Sequence, residues 1–179
     1  MQEFEKQEIL RVLREGSGAL EAALSGVGEE IAHCKPAPDR WSIVECVEHL
    51  VLTEAALLRR LGEAKESDRS HYDQAREAKF RDLAMNRARR IDAPDPVLPG
   101  SHAKTLADAV DEFNAVRKET VRFVEEFNGE LRSWLTIHPL ITRPVNCYEM
   151  LLLLALHPKR HALQVIEARD AARRVTESD

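Results

Sequence analysis

The stretch that decides the fold is Leu151–Arg169, LLLLALHPKRHALQVIEAR, in which His157 and His161 are four residues apart. This spacing places both imidazoles on one face of an α-helix, one turn above the other. Two neutral imidazoles on a buried face need partners, and a divalent metal is one partner that satisfies both. We therefore expect a third ligand from another helix. Followed at helical steps, the same face reads Cys147, Met150, Leu154, His157, His161, Gln164 and Ala168.

The length, charge and cysteine content of the chain narrow its class. Its 179 residues fit one domain, 1–179, that buries its own core. The net charge of −5, with both signs interspersed, argues against a nucleic-acid partner. Three cysteines, an odd count, indicate reduced thiols and a cytoplasmic protein. The charged start MQEFEKQEIL predicts no signal peptide, and the apolar run Met150–Leu156 is too short for a membrane span.

Apolar residues at helical intervals predict an all-α protein. Ser42 with Glu45, and Asn146 with Glu149, have the spacing of capping boxes, and Gly129 offers the residue after a helix end. For Glu45 we favour capping over a role as acceptor for an imidazole N–H. The predicted helices run from residue 2 to about 25, from 42 to 62, from near 105 to about 128, and onward from 146.

Residues 63–104 are the least regular part of the chain. Asp73–Ile91 has helical propensity, and DAPDPVLPG after it must be a loop. Four long helices with this connection predict an up-down four-helix bundle, with a long crossover between helices 2 and 3 that carries an extra helix. No alternating pattern or hairpin signal predicts a strand.

His49 is the candidate third ligand, because it lies near the middle of the second amphipathic helix. In a bundle, residues from the middle of two helices can meet in the core. His49, His157 and His161 would then form a three-nitrogen site with an open position, as in catalytic rather than structural metal centres. The alternative is that the three histidines are buried and hydrogen-bonded to carbonyls or carboxylates.

Other polar residues near these histidines have two interpretations each. Cys46 is either a fourth ligand or a small core residue, and we favour the core, where we also place Cys147. Thr53 and Gln164 share helix faces with the proposed ligands and could bond a metal-bound water, a substrate or local polar groups. Glu54 interrupts the apolar side of the second helix without an evident reason.

The remaining candidates receive ordinary structural roles. Pro158 predicts a kink that helps to aim His157 into the bundle. Arg160 is expected in a surface ion pair. We assign Trp41, Phe113, Phe123 and Phe127 to the core, and surface or turn roles to His33, His71, His102 and His138.

Two separated motifs, WSIVECVEHL at residues 41–50 and HPKRHALQ at residues 157–164, resemble the DinB-like family of bacterial metal-binding four-helix bundles. The segments KPAPDRWS and APDPVLPG, and the His-Pro turn before the last helix, extend the resemblance over most of the chain. It implies a divalent ion, zinc or nickel, on His49, His157 and His161. Relatives include thiol S-transferases that use bacillithiol or mycothiol, a mycothiol-dependent isomerase and hydrolases, so a low-molecular-weight thiol is a further candidate cofactor.

Three functions follow from these observations. The first is a metal-dependent transferase or hydrolase that acts on a small-molecule substrate, with the ion lowering the pKa of a bound thiol or water. No motif supplies a second acid or base, which favours the thiol reaction. The second is a non-enzymatic metal-binding stress-response protein, and the third is a helical interaction module without metal. Whether the chain forms a homodimer stays open.

Overall fold

The computed structural model describes residues 2–88, 92–100, 103, 105–141 and 143–176. Most of them are helical, which confirms the predicted all-α class. None of the described helices is both long and apolar enough to cross a bilayer. The α-helices are α1 (Gln2–Leu24), α2 (Glu29–His33), α3 (Ile43–Gly62), α4 (Gln74–Met85), α5 (Leu106–Glu126) and α6 (Cys147–Thr176), and short 3-10 turns cover Asp95–Val97 and Leu131–Ser133.

The long helices begin at the predicted caps. The Ser42 hydroxyl accepts from the backbone N–H of Glu45, whose carboxylate accepts from the Ser42 N–H at 2.8 Å. Asn146 and Glu149 form the same reciprocal pair before α6, and Thr105 caps α5. Such bonds satisfy N–H groups that the first helical turn leaves without partners, and each is worth about 1 kcal/mol. They also fix which side chains of α3 and α6 face inward.

Three short strands contradict the prediction that the chain has none. Their pairing is antiparallel, with the middle strand opposite both others: Leu135 faces Lys65 on one side and Asn146 on the other. Segments of two or three residues are too short to show the alternation that reveals a strand in a sequence. The strands are β1 (Lys65–Glu66), β2 (Trp134–Thr136) and β3 (Val145–Asn146), and they join the crossover to the connection that precedes α6.

α6 is the helix on which the others pack. α1, α3 and α4 all lie against it, and α3 also packs on α5. α6 contributes to both hydrophobic clusters of the core, with Leu154 in one and Val165 in the other. Burying an aliphatic side chain of this size stabilises the fold by roughly 1.5–3 kcal/mol. The face that presents the histidines is therefore held rigidly, while the up-and-down order of the helices stays a prediction.

α1 lies directly against the backbone of α6 at Gly16. A Cβ atom there would collide with the carbonyl oxygen of Ala155 and lie 3.8 Å from Cδ of Pro158. Gly16 therefore allows the close approach of the two helices, whereas Gly18 has nothing within 4 Å of the equivalent position. α6 continues through Pro158 without ending, and the bend expected there stays a prediction.

Gly129 has a different role from the one predicted. α5 ends at Glu126 and Phe127 is extended, and among the described glycines only Gly26 has a positive φ, of 71°. A Cβ atom on Gly129 would lie 2.9 Å from Nε1 of Trp134. Glycine is required at this position because the indole ring leaves no room for a side chain, and not because the helix end needs a left-handed conformation.

Candidate metal centre

His49 is held in one tautomer by the crossover. Its Nδ1 lies 2.7 Å from the carbonyl oxygen of Val97, in the 3-10 turn Asp95–Val97, and only 6 % of the residue is exposed. Because a carbonyl can only accept, Nδ1 carries the proton and Nε2 keeps a free lone pair. The Thr53 hydroxyl lies 3.4 Å from that Nε2. Histidines that bind metals are oriented by bonds of this kind at the other ring nitrogen.

His157 and His161 face each other on α6. Their Nε2 atoms are 3.0 Å apart, and their rings are nearly perpendicular. His161 is buried and His157 is half-buried. The Gln164 side chain lies near enough to His161 to affect its pKa, yet Nδ1 of His161 has no partner at hydrogen-bond geometry. The helical spacing read from the sequence therefore produces the expected pair.

The three histidines converge as predicted. One nitrogen of each lies within 4.8 Å of the corresponding nitrogens of the other two. The ring of His49 is centred 5.2 Å from that of His157 and 5.0 Å from that of His161. Among the described residues, this is the one group of three or more His, Cys, Asp or Glu side chains close enough together to hold an ion.

All three imidazoles are kept neutral by their surroundings. Burial is the main reason that the pKa values of His157 and His161 lie well below the usual histidine value, and nearby positive charges add to the effect. Burial also lowers the pKa of His49, although its bond to the Val97 carbonyl acts in the opposite direction. Neutral imidazoles offer the lone pairs that a cation needs.

The arrangement fits a divalent metal ion. Tetrahedral zinc holds its nitrogen ligands about 2.0–2.1 Å away, which sets them roughly 3.3 Å apart from one another. The 3.0 Å pair on α6 is already close to that separation. Among the described residues, hydrogen bonding to a carbonyl, the alternative considered for these histidines, is found only at Nδ1 of His49. Its Nε2 contacts the Thr53 hydroxyl at 3.4 Å.

Neither Cys46 nor Glu45 belongs to this group. Burial raises the pKa of the Cys46 thiol to about 12, and the side chain packs in the core. Glu45 caps α3 and forms an ion pair with Lys35 at 2.7 Å. Cys147 is likewise a buried core residue, and it is a free thiol, as are Cys34 and Cys46.

The other histidines have local partners, as expected. His33 lies 3.5 Å from a carboxylate oxygen of Glu29, and His71 contacts the Ser67 hydroxyl at 2.9 Å. Nδ1 of His138 accepts from the N–H of Leu140 within its own turn. His102 lies outside the described residues.

One predicted role is confirmed but incomplete, and another needs correction. Trp41 does pack on the core, but its ring is also centred 4.7 Å from that of His49 and 6.3 Å from that of His161, so it forms a wall of the site. Arg160 was expected in a surface ion pair; instead its guanidinium donates to the backbone carbonyl of Asn86 just after α4. The three phenylalanines Phe113, Phe123 and Phe127 lie in or against the core, as predicted.

A buried ion pair next to the histidines explains Glu54. Its Oε2 accepts from Nη2 of Arg117 at 2.7 Å, and its Oε1 accepts from the Thr120 hydroxyl at 2.8 Å. Glu54 is 3 % and Arg117 6 % exposed. Arg117 was not among the predicted site residues, although Phe113, Arg117 and Thr120 follow one another at helical steps along one face of α5.

Comparison with known proteins identifies the family. The family model described as the DinB superfamily matches residues 13–165, which include all three histidines. No curated protein matches the chain. The match spans most of the chain and agrees with the resemblance carried by the two histidine motifs.

Proposed function

Because the chain belongs to the DinB superfamily, we propose that it is a divalent-metal-dependent enzyme acting on a small-molecule substrate. His49, His157 and His161 hold the ion, which is zinc or nickel. The observation that carries this proposal is the convergence of three neutral imidazoles from α3 and α6 within 4.8 Å. The reduced cysteines support a cytoplasmic location.

The residues of the chain have separate tasks in this proposal. A divalent ion at three nitrogens supplies Lewis-acid chemistry, lowering the pKa of a coordinated thiol or water toward neutrality. Three protein ligands leave a position open in a tetrahedral site. The Val97 carbonyl holds His49 with Nε2 available, and Trp41 covers the rings of His49 and His161.

We favour thiol transfer over hydrolysis as the reaction. Hydrolysis needs a general base to activate water, and the Glu54 carboxylate is instead held in a buried ion pair with Arg117 and accepts from Thr120. A low-molecular-weight thiol brings its own nucleophile. Its sulfur forms a bond to a substrate carbon, the leaving group departs with the electron pair of the broken bond, and the thiol proton passes to solvent.

Elemental analysis tests the metal site directly. Protein purified without a metal-affinity tag should contain about one divalent ion per chain, and the His49→Ala and His161→Ala variants should contain almost none. His33→Ala is the matched control, because His33 lies on the surface beside Glu29. Equal metal content in all four proteins would overturn the proposal.

A second experiment separates an enzyme from a metal-binding stress-response protein. Cobalt replaces zinc in many sites and reports its ligands through its absorption spectrum. If the cobalt-loaded protein has an open position, adding cysteine as a model thiol should produce a sulfur-to-cobalt charge-transfer band. An unchanged spectrum would indicate a closed centre and favour the non-enzymatic function.

A further inference from the structure

Arg117 is a buried cation with unused hydrogen-bond donors. Only its Nη2 is bonded, to Glu54, whereas Nε and Nη1 have no partner in the part of the chain that the structure describes. These two nitrogens carry three N–H donors. Buried polar groups are nearly always hydrogen-bonded, so each exception calls for an explanation.

Among the described residues, no neighbour of Arg117 supplies the missing acceptors. Both oxygens of Glu54 are already engaged, one by Arg117 and one by Thr120. The other face of the guanidinium lies over the ring of Phe113, with Cζ 5.2 Å from the ring centroid. Burial lowers the pKa of Arg117, which shows that its positive charge is poorly solvated, although Glu54 opposes the shift.

The unbonded nitrogens of Arg117 lie close to the helix that carries His49. Glu54 is five residues after His49 on α3, so its partner Arg117 is held beside the helix that carries this histidine. Thr53, the residue before Glu54 in α3, places its hydroxyl 3.4 Å from Nε2 of His49. His157 is half-buried, which leaves the site an exposed edge.

Charge balance indicates what is missing from this site. A bound divalent cation would add two positive charges beside Arg117, and the Glu54 carboxylate is already paired with that arginine. An uncompensated positive charge in a buried region is costly, so an anion is favoured there. A carboxylate brings both a negative charge and two acceptor oxygens in the planar arrangement that a guanidinium group matches.

We propose that Arg117 binds a carboxylate of the molecule that reacts at the three histidines, so that the substrate is an organic acid. The inference rests on the proposed metal-dependent function, and it assigns Arg117 to substrate binding. One end of the substrate is then held by Nε and Nη1 of Arg117, while the reacting end faces His157 and His161.

Calorimetry with succinate tests this proposal without knowledge of the reaction. Succinate is titrated into zinc-loaded wild-type protein and into Arg117→Met, Glu54→Gln/Arg117→Met and Arg122→Met. The double variant removes the uncompensated Glu54 charge in case Arg117→Met folds poorly. Arg122→Met is the control, because Arg122 is an exposed arginine on the same helix, paired with Glu119. Inorganic phosphate and the neutral analogue succinamide are titrated in parallel.

We expect succinate to bind the wild type and Arg122→Met equally, and both Arg117 variants about tenfold or more weakly. Zinc content should stay the same in all four proteins, and succinamide should bind weakly throughout. Equal succinate affinity with and without Arg117 would overturn the inference, as would stronger binding of phosphate than of succinate. If the protein bound no zinc but still bound succinate in an Arg117-dependent manner, the metal proposal would be rejected and the anion site retained.

Discussion

Arg117 and Arg132 are both buried, but their hydrogen bonding is opposite. All three guanidinium nitrogens of Arg132 are bonded: Nε and Nη2 donate to Glu77 at 2.6 and 2.9 Å, and Nη1 donates to Glu5. Arg117 has a single carboxylate partner and two nitrogens without one. A buried charge stabilises a fold only when its bonds are complete. The comparison indicates that Arg132 serves the structure and that Arg117 serves a ligand.

The surroundings of the two arginines support this distinction. Arg132 joins the 3-10 turn Leu131–Ser133 to α1 through Glu5 and to α4 through Glu77, and its Cζ lies 3.8 Å from the ring centroid of Tyr148. It therefore ties distant parts of the chain together. Arg117 connects only two neighbouring helices, α3 and α5, beside the histidines.

The largest expected effect comes from breaking the Arg132 centre. Arg132→Met leaves two buried carboxylates without their cation, and we expect the free energy of unfolding to fall by about 3–5 kcal/mol. Urea denaturation followed by circular dichroism measures the loss, with Arg122→Met as the exposed control. A decrease below about 1 kcal/mol would show that the ion pairs of Arg132 contribute little to the stability of the fold.

The stability contributed by the buried histidines should decrease in acid. Burial lowers the pKa of His161 in the folded protein, so between that value and the unfolded value of about 6.5 the unfolded chain binds more protons. Stability from this residue is therefore complete above about pH 6.5 and is lost as the pH falls, by at most about 1.4 kcal/mol per pH unit. Unfolding of metal-free protein from pH 7.5 to 5.5 should depend less on pH in His161→Gln than in the wild type.

Near Arg132, stability should change with pH in the opposite direction. Burial raises the pKa of Glu5 despite the nearby charge of Arg132, so the folded state gains protons there more readily than the unfolded chain. The contribution of Glu5 to stability therefore increases as the pH falls toward its pKa. If the free energy of unfolding changed identically with pH in His161→Gln and in the wild type, the predicted difference between the histidine site and the Arg132 centre would be wrong.

The smallest expected effect is on the stability of a neutralised Arg117 pair. In Glu54→Gln/Arg117→Met the amide oxygen of Gln can still accept from Thr120, and no buried charge remains. We expect the free energy of unfolding to stay within about 1 kcal/mol of the wild type, because apolar replacement of a buried ion pair is often neutral. Thermal or urea unfolding measures it. A loss as large as that of Arg132→Met would mean that the two arginines have the same structural role.

Local periodicity was enough to predict the helices and the histidine group. Ser42 and Asn146 mark where α3 and α6 begin, and the four-residue spacing within α6 places His157 and His161 on one face. Placing His49 opposite them required only that both residues lie at mid-helix in a packed bundle. The family match agrees with this reading of the sequence.

Periodicity within one helix does not predict which side chains of separate helices contact each other. The pairing of Glu54 with Arg117 depends on the relative translation of α3 and α5, which neither helix encodes alone. The network of Arg132 depends in the same way on how α1 and α4 approach one turn. The hydrogen bond from His49 to Val97 cannot be predicted from residue types, because its acceptor is a backbone carbonyl that every residue has.

That backbone acceptor has an evolutionary consequence. Replacing Val97 with any other amino acid leaves the oxygen opposite His49 in place, so substitutions at this position cannot remove the acceptor itself. Insertion or deletion of a residue near the 3-10 turn Asp95–Val97 would instead move a different carbonyl, or none, into reach of Nδ1. Among descendants of this chain, substitutions that keep the course of the backbone therefore preserve the acceptor, whereas a change in loop length risks freeing the imidazole.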